Sequence, residues 1–268
     1  MDISYFTTGD GCRLAYRIDG PADAPVLVLS NSIGTTLHMW DGQIDQLAER
    51  HRVLRYDTRG HGRSDAPPGG YSLDRLGRDV IELLEFLGFD RVRFCGLSFG
   101  GLIAQWLGVF APERIERLIL ANTSSYLGPP AQWDEQIASV QAADDMSAIA
   151  EMFLANWFPP GLLEAGDERI EPFRATLLSM RREGLIGCFA AIRDADLRRP
   201  IQLISCPTLV IASENDTVTL PEHGELIAQT IPGATLVVLP AVHMANVERP
   251  EEFLKATVEF LFAAAGAA

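Results

Sequence analysis

Short apolar runs recur along the chain at Val26–Leu29, Arg52–Tyr56, Val92–Cys95, Leu118–Ala121, Thr208–Ala212 and Thr235–Leu239. Nearly continuous runs of this length read as strands buried on both faces, the habit of a parallel sheet. Ile3–Thr8 and Arg13–Ile18 alternate instead, and Gly9-Asp10-Gly11 between them predicts a hairpin. Helical periodicity fills the gaps at Leu73–Leu87, Leu102–Phe110, Glu222–Thr230 and Pro250–Phe262. Ser72 is placed to cap the first, and Gly88 stands just past its end. Ala111-Pro112 stops the second, while Pro250, Glu251 and Glu252 favour the start of the last. Strands alternating with helices predict an α/β fold: a mostly parallel eight-stranded sheet flanked by helices on both faces.

The rhythm breaks between Thr123 and Pro200. Helical patterns at Glu135–Ala142, Met146–Trp157, Ile170–Glu183 and Ile186–Ala195 are interrupted by Gly128-Pro129-Pro130 and Phe158-Pro159-Pro160-Gly161. The stretch is too long and too apolar for a loop, which predicts an inserted helical cap. The expected division is core over 1–122, cap over 123–200 and core again over 201–268.

Of 268 residues, 47% are hydrophobic, enough for a substantial core. No run approaches the ~20 apolar residues of a membrane span. The start, Met1-Asp2-Ile3-Ser4-Tyr5-Phe6, lacks a basic segment and an apolar signal core, so a cytoplasmic protein is expected. The Ala-rich stretch from Ala263 is expected to fray. A net charge of −14 disfavours nucleic acid and anionic membranes as partners. Cys12, Cys95, Cys188 and Cys206 are far apart, which argues against a disulfide framework or a zinc site, and no histidine pair has metal-ligand spacing. Cys95 reads as a small buried residue.

Candidate chemistry begins at Gly96-Leu97-Ser98-Phe99-Gly100, between a strand pattern and an apolar helix. A serine on such a turn has an exposed hydroxyl at the carboxyl end of a strand, which makes Ser98 a candidate nucleophile. Side chains at 96 and 100 would collide with neighbouring chain. Two later loops supply partners. Asp216 follows Thr208–Ala212, and His243 follows Thr235–Leu239. A serine hydroxyl needs a neutral imidazole to take its proton, and a buried carboxylate to fix the tautomer and stabilise the imidazolium. Glu214 is a rival for Asp216, closer to the strand end, and a loop histidine bonded to backbone is the plain alternative for His243. Asn122, after Leu118–Ala121, occupies the other position for an acid but is an amide. The order serine, acid, histidine is that of the α/β-hydrolases, which the chain resembles.

An oxyanion hole needs two N–H donors. Phe99 is expected to give one, and the loop Ser30-Asn31-Ser32-Ile33-Gly34 the other, from Ile33 or, with a slip of one residue, from Ser32. His61 lies in a glycine-rich turn and reads as structural, His38 as near the pocket floor or wall, and His51 and His223 as surface residues.

More specific segments resemble 3-oxoadipate enol-lactonases. They are Ser30–Trp40, Arg55–Gly62, Phe94–Ser98, Leu120–Ser124, Asn156-Trp157-Phe158 and Asp216–Thr219. The resemblance implies ring opening of 3-oxoadipate enol-lactone, a small anionic lactone, to 3-oxoadipate in aromatic breakdown. It implies Ser98, Asp216 and His243 as the triad, with no metal and no organic cofactor. Some members carry a fused decarboxylase module, which is not expected in a chain of this length. Ser32, Trp133 and Trp157 are the candidate substrate contacts. The substrate carboxylate calls for a cap arginine, left open among Arg169, Arg174, Arg181, Arg182 and Arg193. The rival readings are another lid-bearing esterase, a carbon–carbon bond hydrolase, or a non-catalytic ligand-binding protein on the same fold.

Overall fold

The computed structural model describes residues 3–263. Its strands are β1 Ser4–Thr7, β2 Arg13–Asp19, β3 Val26–Ser30, β4 Arg52–Tyr56, β5 Val92–Leu97, β6 Ile115–Ala121, β7 Thr208–Ser213 and β8 Thr235–Leu239. They form one eight-stranded sheet in the order β1-β2-β4-β3-β5-β6-β7-β8. β2 pairs antiparallel with both β1 and β4, and every other pairing is parallel. β7 is buried along its whole length, and β3, β5 and β6 at all but one residue each. That burial requires cover on both faces, as the continuous apolar runs predict.

The helices of the sheet layers are α1 Asp41–Leu47, α2 Leu73–Leu87, α3 Phe99–Phe110, α9 Pro221–Thr230, α10 Ala245–Glu248 and α11 Pro250–Phe262. α2 packs on α3, α3 on β5 and β6, α9 on β7 and β8, and α1 on α11. α2 follows its sequence pattern closely. Leu73, Leu76, Val80, Leu83 and Leu84 form a buried stripe, each worth about 1.5–3 kcal/mol of transfer free energy. Ser72 Oγ accepts the Arg75 N–H at 3.1 Å, and Gly88 ends the helix at φ 69°. α1 escapes sequence reading because its seven residues offer only Ile44 and Leu47 as apolar core positions.

Between β6 and β7 the chain forms α4 Pro130–Ala142, α5 Ser147–Trp157, α6 Pro160–Glu164, α7 Glu171–Leu178 and α8 Arg182–Asp194. α4 packs on α8, α5 on α7, and α8 reaches down to α2. The single helix expected over Ile170–Glu183 is divided. Arg181 takes an extended backbone, and its guanidinium donates to Ser64 O below. Past Ala263, the Ala-rich tail expected to fray lies outside the described residues.

The strand order fixes where a site can form. β3 and β5 are neighbours, with Ser30 opposite Gly96, although β4 lies between them in sequence. Chain order reverses there, and the loops leaving both carboxyl ends emerge side by side.

Candidate active site

Ser98 stands on the turn between β5 and α3 with φ 56° and ψ −114°, a backbone that L-residues rarely adopt. The turn is held from both sides. Ser98 N–H donates to Ala121 O at 2.9 Å, and Thr123 Oγ1 donates to Ser98 O at 2.7 Å. The flanking glycines are sterically required, as their sequence context predicts. A Cβ on Gly96 would sit 2.1 Å from Gly100 O, and one on Gly100 would sit 2.2 Å from Ser30 O.

Ser98 Oγ lies 2.9 Å from His243 Nε2, and His243 Nδ1 lies 2.8 Å from Asp216 Oδ2. His243 and Asp216 are both buried. With the proton on Nδ1 directed at the carboxylate, Nε2 is free to accept from the serine hydroxyl. Asp216 Oδ1 accepts the N–H groups of Val218 at 2.8 Å and Thr219 at 3.0 Å. Oδ2 also accepts from Thr219 Oγ1 at 2.7 Å and Asn122 Nδ2 at 3.1 Å. Burial opposes ionisation of this carboxyl, but His243 and these hydrogen bonds overcome it and bring the pKa down to about 2. Glu214 is exposed.

Asn122 and Thr219 went unassigned in the sequence. Asn122, at φ 42°, also donates to Ser213 Oγ at 2.8 Å. The amide at the alternative position for an acid thus donates to the carboxylate of Asp216. A signal for Thr219 was present, since an Asp at a strand-end loop suits an Asx-type turn, in which its carboxylate accepts the backbone N–H groups two and three positions on.

The N–H of Phe99 belongs to the first turn of α3, where no helical partner exists. Across from it, Ser32 N–H contacts Met39 Sδ at 3.3 Å, Gly34 N–H donates to His61 Nε2 at 2.9 Å and Thr35 N–H to Ser32 O at 3.3 Å. Among the described hydrogen bonds, none engages the Ile33 N–H. Asn31 anchors the loop, accepting from Trp40 Nε1 at 3.0 Å and donating to Tyr56 O at 2.7 Å.

A cavity of about 270 Å³ opens above Ser98 and His243. Ile33, Phe99, Trp133 and Trp157 line it, with Leu102, Met152, Phe153, Phe189 and Ile192 as apolar wall. Its polar lining includes Gln132, Gln136, Asn156 and Thr217. Ser32 does not line it; with its N–H and O turned inward to Met39 and Thr35, the residue is buried behind the loop.

None of the five candidate arginines lines the cavity. Arg169 pairs with Asp167, Arg174 with Glu151 and Arg193 with Asp134 and Asp194, while Arg181 donates to Ser64 O and Arg182 to Asp144 O. Carboxylates of the acidic surface partner Arg169, Arg174 and Arg193, and backbone carbonyls partner Arg181 and Arg182, without the desolvation that a place in the cavity would cost. His38 is exposed beside Asp41 rather than at the pocket. His51 is buried rather than at the surface, packed 5.2 Å from the Phe262 ring, and His223 is half-buried.

The alpha/beta hydrolase fold family matches residues 25–250, and the chain belongs to that family. That membership, together with similarity to enol-lactonases across nearly its whole length, makes it a hydrolase. "3-oxoadipate enol-lactonase 2" of Acinetobacter baylyi is 41% identical over 92% of both chains. The enol-lactonase of Burkholderia xenovorans LB400 superposes with a TM-score of 0.93 at 40% identity, over 96% of this chain and 99% of that one. A hydrolase from Pseudomonas aeruginosa PA01 gives 0.97 at 59% identity, over 98% and 99%. The described residues include no helix long and apolar enough to cross a membrane, and no cluster of side chains able to hold a metal ion.

Proposed function

We propose that this protein hydrolyses 3-oxoadipate enol-lactone to 3-oxoadipate, a step of aromatic-compound breakdown. The observation carrying the reading is the hydrogen-bonded line Ser98–His243–Asp216 at the floor of a small, mostly apolar cavity. Similarity to enol-lactonases over nearly the whole chain supports the choice of substrate.

Ser98 Oγ attacks the lactone carbonyl as His243 Nε2 takes its proton. Asp216, ionised at neutral pH, steadies the imidazolium. The N–H groups of Phe99 and Ile33 receive the developing oxyanion. Collapse breaks the ring C–O bond, and His243 returns its proton to the departing enol oxygen. The enol, still tethered through its acyl group, tautomerises to the ketone. Water, deprotonated by His243, then cleaves the acyl-enzyme and regenerates Ser98.

The substrate carboxylate is held without a fixed cation. The side-chain amides of Gln136 and Asn156 line the cavity with no partner among the described residues, as does the Trp157 indole N–H. Trp133 donates its own N–H to Leu127 O and offers its ring face. These neutral donors bind the carboxylate in place of an arginine.

The decisive assay compares the enol-lactone with nitrophenyl esters of simple acids. Much higher kcat/KM on the lactone supports the reading; turnover confined to simple esters defeats the substrate assignment and leaves the hydrolase.

A further inference from the structure

We propose that His61 is a positioning residue for the oxyanion loop, acting as the hydrogen-bond acceptor that fixes the Ile33–Gly34 peptide. The inference rests on the reading that Ile33 N–H receives the oxyanion. The segment Asn31–Gly34 has no helix or strand pairing of its own, so side chains must hold it. Asn31 anchors its start. At its far end Gly34 N–H donates to His61 Nε2 at 2.9 Å. That N–H shares a peptide plane with the Ile33 carbonyl, so the bond restrains the peptide that follows the proposed donor.

The imidazole must be neutral, with Nε2 unprotonated, to accept. His61 Nδ1 lies 3.2 Å from Arg59 O, which can only accept, so the ring proton sits on Nδ1 and the Nε2 lone pair faces Gly34. The surroundings keep this form. The ring is buried, with Phe99 of α3 on one side at 6.5 Å between ring centroids. From α8, Cys188 Sγ approaches Nδ1 at 4.0 Å, and burial pushes its thiol pKa up, so it stays uncharged. Arg181, just before α8, is the nearby charge and opposes protonation. The cap closes tightly over the turn: a Cβ on Gly60 would sit 2.6 Å from Gly184 Cα. A buried histidine serving only as packing would need no lone pair directed at a backbone N–H. This one has its lone pair aimed at the loop that faces Ser98.

The bond is read directly by NMR, as a through-hydrogen-bond coupling between the Gly34 amide nitrogen and His61 Nε2 in the labelled full-length protein. Its absence overturns the proposal. His61→Phe keeps a ring but removes the acceptor. Its kcat on the enol-lactone, or on nitrophenyl acetate, is expected to fall about 10²-fold with KM little changed. His61→Gln, whose amide oxygen reaches the Nε2 position, should recover most of that loss. Should His61→Phe fail to fold, His61→Gln is compared with His61→Asn, whose shorter amide stops short of Gly34. Equal kcat for Gln and Asn defeats the proposal, as does an unchanged kcat in a folded Phe variant. Ser98→Ala run alongside separates the two levels: full activity there removes the active-site reading, whereas a dead Ser98→Ala beside an unimpaired His61→Phe removes only the role of His61.

Discussion

Ser98 holds a conformation that costs on the order of 1–3 kcal/mol, and its neighbours keep it there. Bonds to Ala121 O and from Thr123 Oγ1, together with the bare Cα atoms of Gly96 and Gly100, leave the turn no room to relax. Ser98→Ala and His243→Ala should therefore keep the fold, since neither alters that framework. A rate loss on the order of 10⁴-fold or more, with unchanged circular dichroism, is the expected outcome. Asp216→Asn should cost about 10⁴-fold in kcat, because an amide facing His243 Nδ1 no longer selects the Nδ1–H tautomer. A loss of only a few-fold in steady-state assays would mean that Thr219, whose Oγ1 lies 3.4 Å from His243 Nδ1, orients the imidazole without the carboxylate. The meeting of Ser98, His243 and Asp216 was legible because strand ends and loop order constrain where they stand. Asn122 and Asn31 were not, because their roles depend on strands brought together from distant sequence.

At the scale of elements, local pattern and tertiary need agree in α2, with its regular stripe and both caps, and that helix was read to its ends. α2 also anchors the turn after β4. Arg59 and Asp79 are buried and joined by two bonds of 2.7 Å. Asp79→Ala leaves a guanidinium without its buried partner and should destabilise the protein by about 3–5 kcal/mol, read as a lower urea midpoint. Where the cap meets the core, an added methyl on Gly184 would lie 2.1 Å from Gly60 O. Backbone cannot yield there as a flexible side chain does, so Gly184→Ala should cost about 1–3 kcal/mol by the same measurement. The division of the expected Ile170–Glu183 helix has a related cause. Arg181 leaves helical geometry to reach Ser64 O, a contact invisible to periodicity.

Across the whole molecule, acid stability follows from its buried titratable groups. Burial drives His61 down from 6.5 to about 4. Folding favours its neutral form, so its contribution is complete above pH 6.5 and is lost as pH falls through about 4. In His61→Gln that component is gone, and Tm measured from pH 7 to 4 should fall less steeply than in the natural protein. Asp216 adds a lower window. With its folded pKa near 2, its contribution is full above the ordinary carboxylate pKa of 3.8 and disappears only toward pH 2. The α/β character was legible at this scale because fully buried strands carry a distinctive pattern. The surface pairing of the cap arginines was not legible, since charge composition gives no partner assignments.

Those pairings leave a cavity that, among the described residues, no arginine or lysine lines, inside a protein of net charge −14. Under the proposed reaction a monoanion enters and a dianion departs, its new carboxylate formed within reach of the histidine that contacts Asp216. Each turnover thus makes a species that the site tolerates less than the one it admitted, and electrostatics helps to clear the pocket. The expected mark in progress curves is weak product inhibition, with a Ki for 3-oxoadipate well above the KM of the lactone. Placing a cation inside by Gln136→Arg should bring the two together and turn a self-emptying enzyme into one that stalls on its product.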